Sequence, residues 1–292
     1  MLTEQEFRDL ASSVDRSRAW ADDDERGALN FLTPSTTLAA LREVEHGRVV
    51  SCADRSLASR IEIITSTDEA HSWIAVNETV SFQQHGAGSM THFDSLGHFF
   101  YDGRGHSGTE RSILDPHGVS ALDTTAASAG IIGRGILIDL PAIAGTSYLD
   151  ADTFVSLAAV RAWLRRVHVQ ARPGDILFIR MGRPLAPAPE PGGYSMVGGL
   201  SLECARWIYD ERISLIVSDA GLDSPTPAVE DVATPWHVLA LARMGISLVD
   251  FAELEELAWL CGSTGKYSFL AILSVLPLAK ATASPVNPLV VI

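Results

Sequence analysis

The chain has 292 residues, 47% of them apolar and 20% charged, with 22 Lys and Arg against 36 Asp and Glu for a formal net charge of −14. This composition excludes a disordered chain, and the length supports one large domain or two small ones. The acidic surplus argues against a general nucleic-acid or anionic-membrane binder, since such surfaces attract clustered Lys and Arg, and it leaves a small-molecule substrate as the default partner.

Residues 1 to about 30 read as a charged, helically patterned arm that breaks at Asp23-Asp24-Glu25-Arg26-Gly27. Its opening is acidic and polar where a secretory leader needs a basic start and an apolar block, and no run approaches the roughly 18 apolar residues of a membrane helix, so the expectation is a soluble, cytoplasmic protein. Thr33-Pro34 is an N-cap and first-turn pair for a helix through Leu38, Leu41 and Val44, which Gly47 can end. Short strands follow at Val49-Val50-Ser51-Cys52, Ile61-Glu62-Ile63-Ile64 and Ala75-Val76, and Gly133 to Leu140 reads as a glycine-flanked buried strand.

Beyond Asp152, strand and helix alternate. Val155, Val160, Trp163 and Leu164 mark a helix, and Arg172-Pro173-Gly174-Asp175 turns it into the strand Ile176 to Arg180. Pro184 to Gly199, with four prolines and four glycines, reads as a long surface loop or lid. A helix over Ser201–Glu211, a strand over Ile213–Val217, a polar loop to Pro235 and a helix over Trp236–Met244 come next, and Phe269 to Leu278 reads as a core strand with a turn. No repeat or linker divides the chain. The reading is a single α/β domain over 31–292 behind an arm over 1–30.

Cys52, Cys204 and Cys261 are odd in number and unpaired in spacing, which points to buried bystander thiols and against a disulfide framework or a thiolate zinc site. No G-x-S-x-G elbow, dinucleotide fingerprint or phosphate loop is present. The informative stretch is His85 to His98, with three histidines and an aspartate within fourteen residues. If Thr91 to Ser95 is extended, the period of two puts His92 and Asp94 on one face, with Phe93 and Ser95 on the other. Gly97 then lets His98 swing back to the same point, and the glycines at 86 and 88 permit the same for His85. Imidazole nitrogen with carboxylate oxygen suits zinc or manganese and leaves the ion open to water and substrate oxygen. His46, His71, His106, His117 and His168 have no such neighbourhood and read as surface or loop residues, while Phe99-Phe100-Tyr101 reads as packing.

Thr91-His92-Phe93-Asp94-Ser95-Leu96-Gly97-His98 resembles the T-H-x-D-x-x-x-H signature of the metal-dependent cyclase family, which includes bacterial kynurenine formamidase and isatin hydrolase. Asp23 to Asn30, Gly133 to Asp139, Gly174 to Arg180, Trp236-His237 and Ala283 to Pro288 resemble the longer branch of that family, in the same order along the chain. The resemblance implies a mixed-sheet, barrel-like core with flanking helices, of the swivelling β/β/α type. It further implies that His92 and Asp94 ligate the metal and that His98 is the proton-transferring base and acid. A second ligand cluster falls on His237 and, with a one-residue offset, on Asp250. Gly88 stands where the formamidase pattern has a histidine, which assigns that ligand to His85 or leaves the ion less enclosed. Asp250 replaces a Glu, shortening the reach by a methylene, so one divalent ion per chain, Mn or Zn, is favoured over two.

The activity so implied is hydrolysis of a small cyclic amide, imide or lactone, or of an N-formyl aryl amide, with ring closure on the same site and a decayed binding protein as alternatives. The resemblance also implies a homodimer or homotetramer, whose N-terminal arm reaches a neighbour. For the substrate itself, Trp73 and Trp236 are candidates to stack on an aromatic ring.

Overall fold

The computed structural model describes residues 1–21, 23–54, 59–68, 73–82, 84–85, 90–187 and 197–292. Gly86, Gly88, His71 and the 188–196 part of the proposed lid therefore lie outside the described residues, as does the side chain of Trp73. Fifteen strands appear among them. They are β1 (Val49–Ser51), β2 (Ser59–Asp68), β3 (Trp73–Phe82), β4 (His92–Asp94), β5 (Leu114–Asp115), β6 (Gly118–Val119), β7 (Ile131–Asp139), β8 (Phe154–Val155), β9 (Ile176–Arg180), β10 (Gly199–Leu200), β11 (Leu215–Ser218), β12 (Ser247–Asp250), β13 (Ser268–Leu273), β14 (Ala283–Pro285) and β15 (Leu289–Val291). The α-helices are α1 (Glu4–Ser13), α2 (Pro34–Leu41), α3 (Leu140–Ala144), α4 (Leu157–Arg166), α5 (Cys204–Asp210), α6 (Pro235–His237) and α7 (Glu255–Thr264).

Nine strands form one mixed sheet in the order β1-β15-β13-β7-β9-β11-β12-β4-β14. Its centre, β7-β9-β11-β12, is parallel, and α4, α5 and α6 lie in the connections between those strands. Strands covered on both faces read as continuous apolar runs rather than as alternation, and β9, β11 and β12 are buried along their whole length. One face packs Ile136, Leu177, Ile216 and Leu248 against Val160 and Trp163 of α4 and Ile208 of α5. The other packs Leu137, Phe178, Val217, Val249 and Phe93 against Leu257, Leu260 and Cys261 of α7. The fold is thus a single α/β domain built on a curled, half-barrel sheet.

Several boundaries differ from the sequence reading. Among the described residues of the arm, only Glu4–Ser13 is α-helical, opened by a capping box between Thr3 and Glu6, and a 3₁₀ turn at Gly27–Phe31 closes the arm. Phe7, Ala11 and Val14 are buried against the chain's own core. Helix α2 starts on the Thr33 cap and ends at Leu41, where the Arg42 N–H closes on the Ala39 carbonyl and the Glu43 N–H on the Ala40 carbonyl, before Val44 and Gly47 are reached. Val155 belongs to the strand β8, and Ser156 caps α4 after it. The segment after α6 continues as a π-helical stretch, Val238–Met244. Helix α7 and strands β12, β14 and β15 complete the sheet and its cover beyond what the pattern indicates.

The β2-β3 hairpin stands apart from the main sheet. Its register places Ile61 opposite Val80, Thr65 opposite Val76 and Ser59 opposite Phe82, so one face carries Ile61, Ile63, Val76, Val80 and Phe82, each at least 40% exposed. Thr65 and Glu78 share that face, while the other carries Glu62, Ile64, Ser66, Ala75, Asn77, Thr79 and Ser81.

Candidate metal centre

Strand β4 lies between β12 and β14 near one end of the sheet, and its register builds the site. His92 pairs with Asp250 and Asp94 with Leu248, so His92, Asp94 and Asp250 project from the same face. Phe93 and Val249 point to the opposite face, into the core with α7. His92, Asp94 and Asp250 are all buried. Gly97 serves close approach: its N–H donates to the Leu122 carbonyl at 2.9 Å, and a Cβ there would meet that oxygen at 2.8 Å. The 3₁₀ turn Leu96–His98 then brings His98 back over the strand. His85 reaches the cluster in a left-handed conformation, φ 66°, which is uncommon for a residue with a Cβ and recurs at functional sites.

The side chains converge. His85 and His98 stack with ring centres 3.9 Å apart and planes 5° from parallel, and His92 meets His85 edge-on at 4.8 Å. Asp94 Oδ1 lies 3.5 Å from His85 Nδ1 and 3.4 Å from His92 Nε2, and His237 Nε2 lies 3.7 Å from Asp250 Oδ2. Two donor groups result, His85-Asp94-His98 and Asp94-His237-Asp250, sharing Asp94 and each with its donor atoms within 4.8 Å of one another. His92 falls outside both groups although it adjoins the shared carboxylate. Donors around one zinc at about 2.1 Å sit roughly 3–4 Å apart, so small rotations suffice to load either group.

Electrostatics point the same way. Burial first, and then the charge of Asp250, hold the Asp94 carboxyl well above the usual carboxylate range, with His237 opposing. Asp250 is raised by burial against the pull of His237, His92 and the Ser218 hydroxyl, which donates to its Oδ1 at 3.2 Å. Burial and the neighbouring imidazoles lower His85 to about 4 and His98 to about 2. For His237 burial also opposes the charged form, but the Asp223 hydrogen bond and the fields of Asp250, Asp223 and Asp94 prevail and lift it to about 9. Both oxygens of Asp94 and Nε2 of His85 are buried and have no hydrogen-bond partner among the described residues. Buried polar atoms are ordinarily satisfied, so carboxylate oxygens that lack hydrogen-bond partners and face imidazole nitrogens fit a divalent cation.

All six sequence-predicted residues, His85, His92, Asp94, His98, His237 and Asp250, therefore meet in one place. Three supporting groups went unread in the sequence. The Met90 carbonyl lies 2.7 Å from His92 Nδ1, which leaves Nε2 as that ring's lone-pair donor. Ser218 orients Asp250, and Asp223 lies 2.6 Å from His237 Nδ1. Phe99 packs against the core, as read from the sequence, with its ring 5.7 Å from that of His237. Trp236 is 2% exposed with its indole N–H donating to the Leu200 carbonyl, so it is a core residue and presents no ring to a substrate. His106 is also corrected: it is fully buried rather than on the surface, wedged against Gly245, where a Cβ would meet its ring at 2.4 Å, and tilted on Trp20.

Comparison with known proteins places the fold. A family profile described as "Putative cyclase" matches residues 9–223. A solved structure described as a novel cyclase aligns over 97% of this chain and 99% of its own, at 24% identity and a TM-score of 0.83. Isatin hydrolase A from Labrenzia aggregata, solved with benzyl benzoate, aligns over 88% of this chain and 98% of its own, at 16% identity and a TM-score of 0.59. An isatin hydrolase bound to the product analogue thioisatinate aligns over 89% and 99%, at 17% identity and 0.56. At these identities the likeness is one of fold. No curated protein matches the sequence.

Proposed function

The chain belongs to the cyclase family, and from that premise and the buried His–Asp cluster we propose that it is a metal-dependent hydrolase opening a small cyclic amide, imide or lactone, or cleaving an N-formyl aryl amide. The observation that carries the reading is Asp94, fully buried, its two oxygens without hydrogen-bond partners and ringed by imidazoles. Asp94, His92 and His85 are proposed to hold one divalent ion, Mn or Zn, with His237 and Asp250 completing the set. Such an ion supplies an activated water at neutral pH and polarises the scissile carbonyl. The remaining work falls to the chain's own groups. His92 is held by the Met90 carbonyl with Nε2 inward, and Asp250 is held by Ser218. His98, stacked on His85 beside Asp94, is proposed to accept a proton and return it to the leaving nitrogen or oxygen.

One observation favours a second role for His98: it stacks on His85 within a donor group that includes Asp94, a position equally suited to a ligand. We also propose that the chain assembles as a homodimer or homotetramer. The apolar face of the β2-β3 hairpin supports this, because a two-stranded hairpin is marginal alone and its partner copy offers the same self-complementary face. The test of function is metal analysis of the purified protein, followed by a screen of cyclic imides, lactones and formylated anilines with and without chelator. Run in heavy-oxygen water, ring opening incorporates the label and ring closure does not. Turnover that survives complete removal of the metal refutes the reading.

A further inference from the structure

Helix α6 opens in an unusual way. Pro235 occupies its first turn and has no N–H, and the N-cap residue Thr234 makes no side-chain capping bond, so the N–H groups of Trp236 and His237 need an acceptor from elsewhere. Asp223, in the loop after β11, supplies it. Its Oδ1 accepts from the Trp236 N–H at 2.7 Å, and its Oδ2 accepts from the His237 N–H at 3.2 Å and sits 2.6 Å from His237 Nδ1. One carboxylate thus fixes both the backbone that carries His237 and the ring itself. The Asp223 side chain is 8% exposed, so water competes little for these bonds.

We propose that Asp223 is the positioning residue of the site: it holds the Nδ1–H of His237 and so aims Nε2 at Asp250 and Asp94. The inference rests on the metal-site reading above for its consequence, but its geometry stands without it. An ionised carboxylate only accepts, so the atom facing it must be the donor. Nε2 is left to face the other carboxylates, 3.7 Å from Asp250 Oδ2 and inside the group it forms with Asp94 and Asp250, and it is the atom that would give up its proton to an ion. A carboxylate behind an imidazole ligand orients the ring and raises its basicity, and loss of such a partner typically costs 10–100-fold in metal affinity. Substitution by Asn keeps the shape but can turn an amide N–H towards Nδ1, which favours the neutral tautomer whose proton stays on Nε2, the nitrogen an ion needs bare.

Two measurements on the full chain test this. The first is nitrogen-15 and proton NMR of the histidine rings, which needs no metal. The wild type is expected to show a far-downfield, slowly exchanging Nδ1–H for His237 that is lost in Asp223→Asn, and its absence in the wild type overturns the proposal. The second is affinity for Zn²⁺ or Mn²⁺ by competition with a chromophoric chelator. Asp223→Asn is expected to weaken binding 10–100-fold with the thermal midpoint near wild type, Asp223→Glu to restore part of it, and Asp223→Asn with His237→Ala to bind no worse than His237→Ala alone. Unchanged affinity in Asp223→Asn, or losses that add in the double variant, overturn it. A wild type that binds neither ion sinks the metal-site reading instead, and the ring proton of His237 still decides the role of Asp223.

Discussion

Replacing Asp94 by Asn should stabilise the metal-free protein while abolishing its response to metal. The carboxyl is fully buried, lacks hydrogen bonds, and is held well above its ordinary pKa by burial and by Asp250. At neutral pH the fold must therefore either keep a desolvated charge beside a second carboxylate or bind a proton that the unfolded chain releases, and Asn does neither. The Asn amide still bears the roughly 1–3 kcal/mol cost of an unsatisfied buried polar group, but not the further cost of a charge, and removing that further cost is expected to give a gain of about 2 kcal/mol. At roughly 2 cal/mol/K per residue, the unfolding entropy of 292 residues is about 0.6 kcal/mol/K, which turns that gain into a rise of about 3 °C in the melting temperature. Because the folded pKa is raised, the native state binds more protons, and the wild-type penalty grows as pH climbs above 3.8 and levels off beyond the folded value. Loading the wild type with ion at a hundredfold over its Kd should contribute about 2.7 kcal/mol in the other direction. Melts of both proteins in chelator and in graded Zn²⁺ or Mn²⁺ at pH 7 to 8 read both effects. A metal-free Asp94→Asn protein that melts below wild type, or one that metal stabilises as fully as wild type, refutes the reasoning.

Other outcomes follow from the same groups. His98→Ala should leave metal content near wild type while kcat falls about 10²- to 10⁴-fold, and equal loss of both moves His98 into the ligand set. His106, held at about 4 by burial, is neutral in the fold, so its contribution is intact above pH 6.5 and is lost as pH falls from 6.5 towards 4. His106→Gln should flatten urea stability across that window by up to about 3 kcal/mol relative to wild type, and parallel pH profiles for the two proteins tell against it. Burial pushes the Cys204 and Cys261 thiols up to about 12 and the Cys52 thiol higher still, so a disulfide reagent should leave the native protein unmodified until it is denatured. Sedimentation should give a dimer or tetramer, with Ile63→Lys shifting it towards monomer; a monomeric wild type refutes the assembly.

What could be read in advance divides along physical lines. The strand Ile176–Arg180 was legible to the residue, because a continuous apolar run between a Pro-Gly turn and a glycine has one interpretation at that length. Helix α7 was not. Its Glu255-Glu256-Leu257-Ala258-Trp259 sequence has little amphipathic bias, and burial of Leu257, Leu260 and Cys261 comes from the sheet it covers rather than from its own pattern. The apolar-alternating face of the hairpin was visible only as two short strands, since exposed Val76 and Val80 sit among Asn77, Glu78 and Thr79 and the pairing that groups them with Ile61 and Ile63 is tertiary.

The site shows the same division more sharply. His92 and Asp94 share a face by the local period of a strand, and that period needs no partner to be seen. Asp250 joins them through the antiparallel register of β12 with β4, which no local pattern encodes and which only a family resemblance could suggest. Asp223 had no motif at all, yet a signal existed in the chemistry of Thr234-Pro235-Trp236-His237: a helix opening on proline without a side-chain cap must borrow an acceptor. His106 misled for the converse reason. Gly105-His106-Ser107-Gly108 reads as an exposed turn, and it is buried because Gly245, far along the chain, lacks the side chain that would expel it. Two acids buried at 0% and 4% exposure within one donor group are a poor arrangement for stability alone. Part of the chain's surplus of 36 acidic over 22 basic residues is thus placed where charge is most costly and where a cation best offsets it.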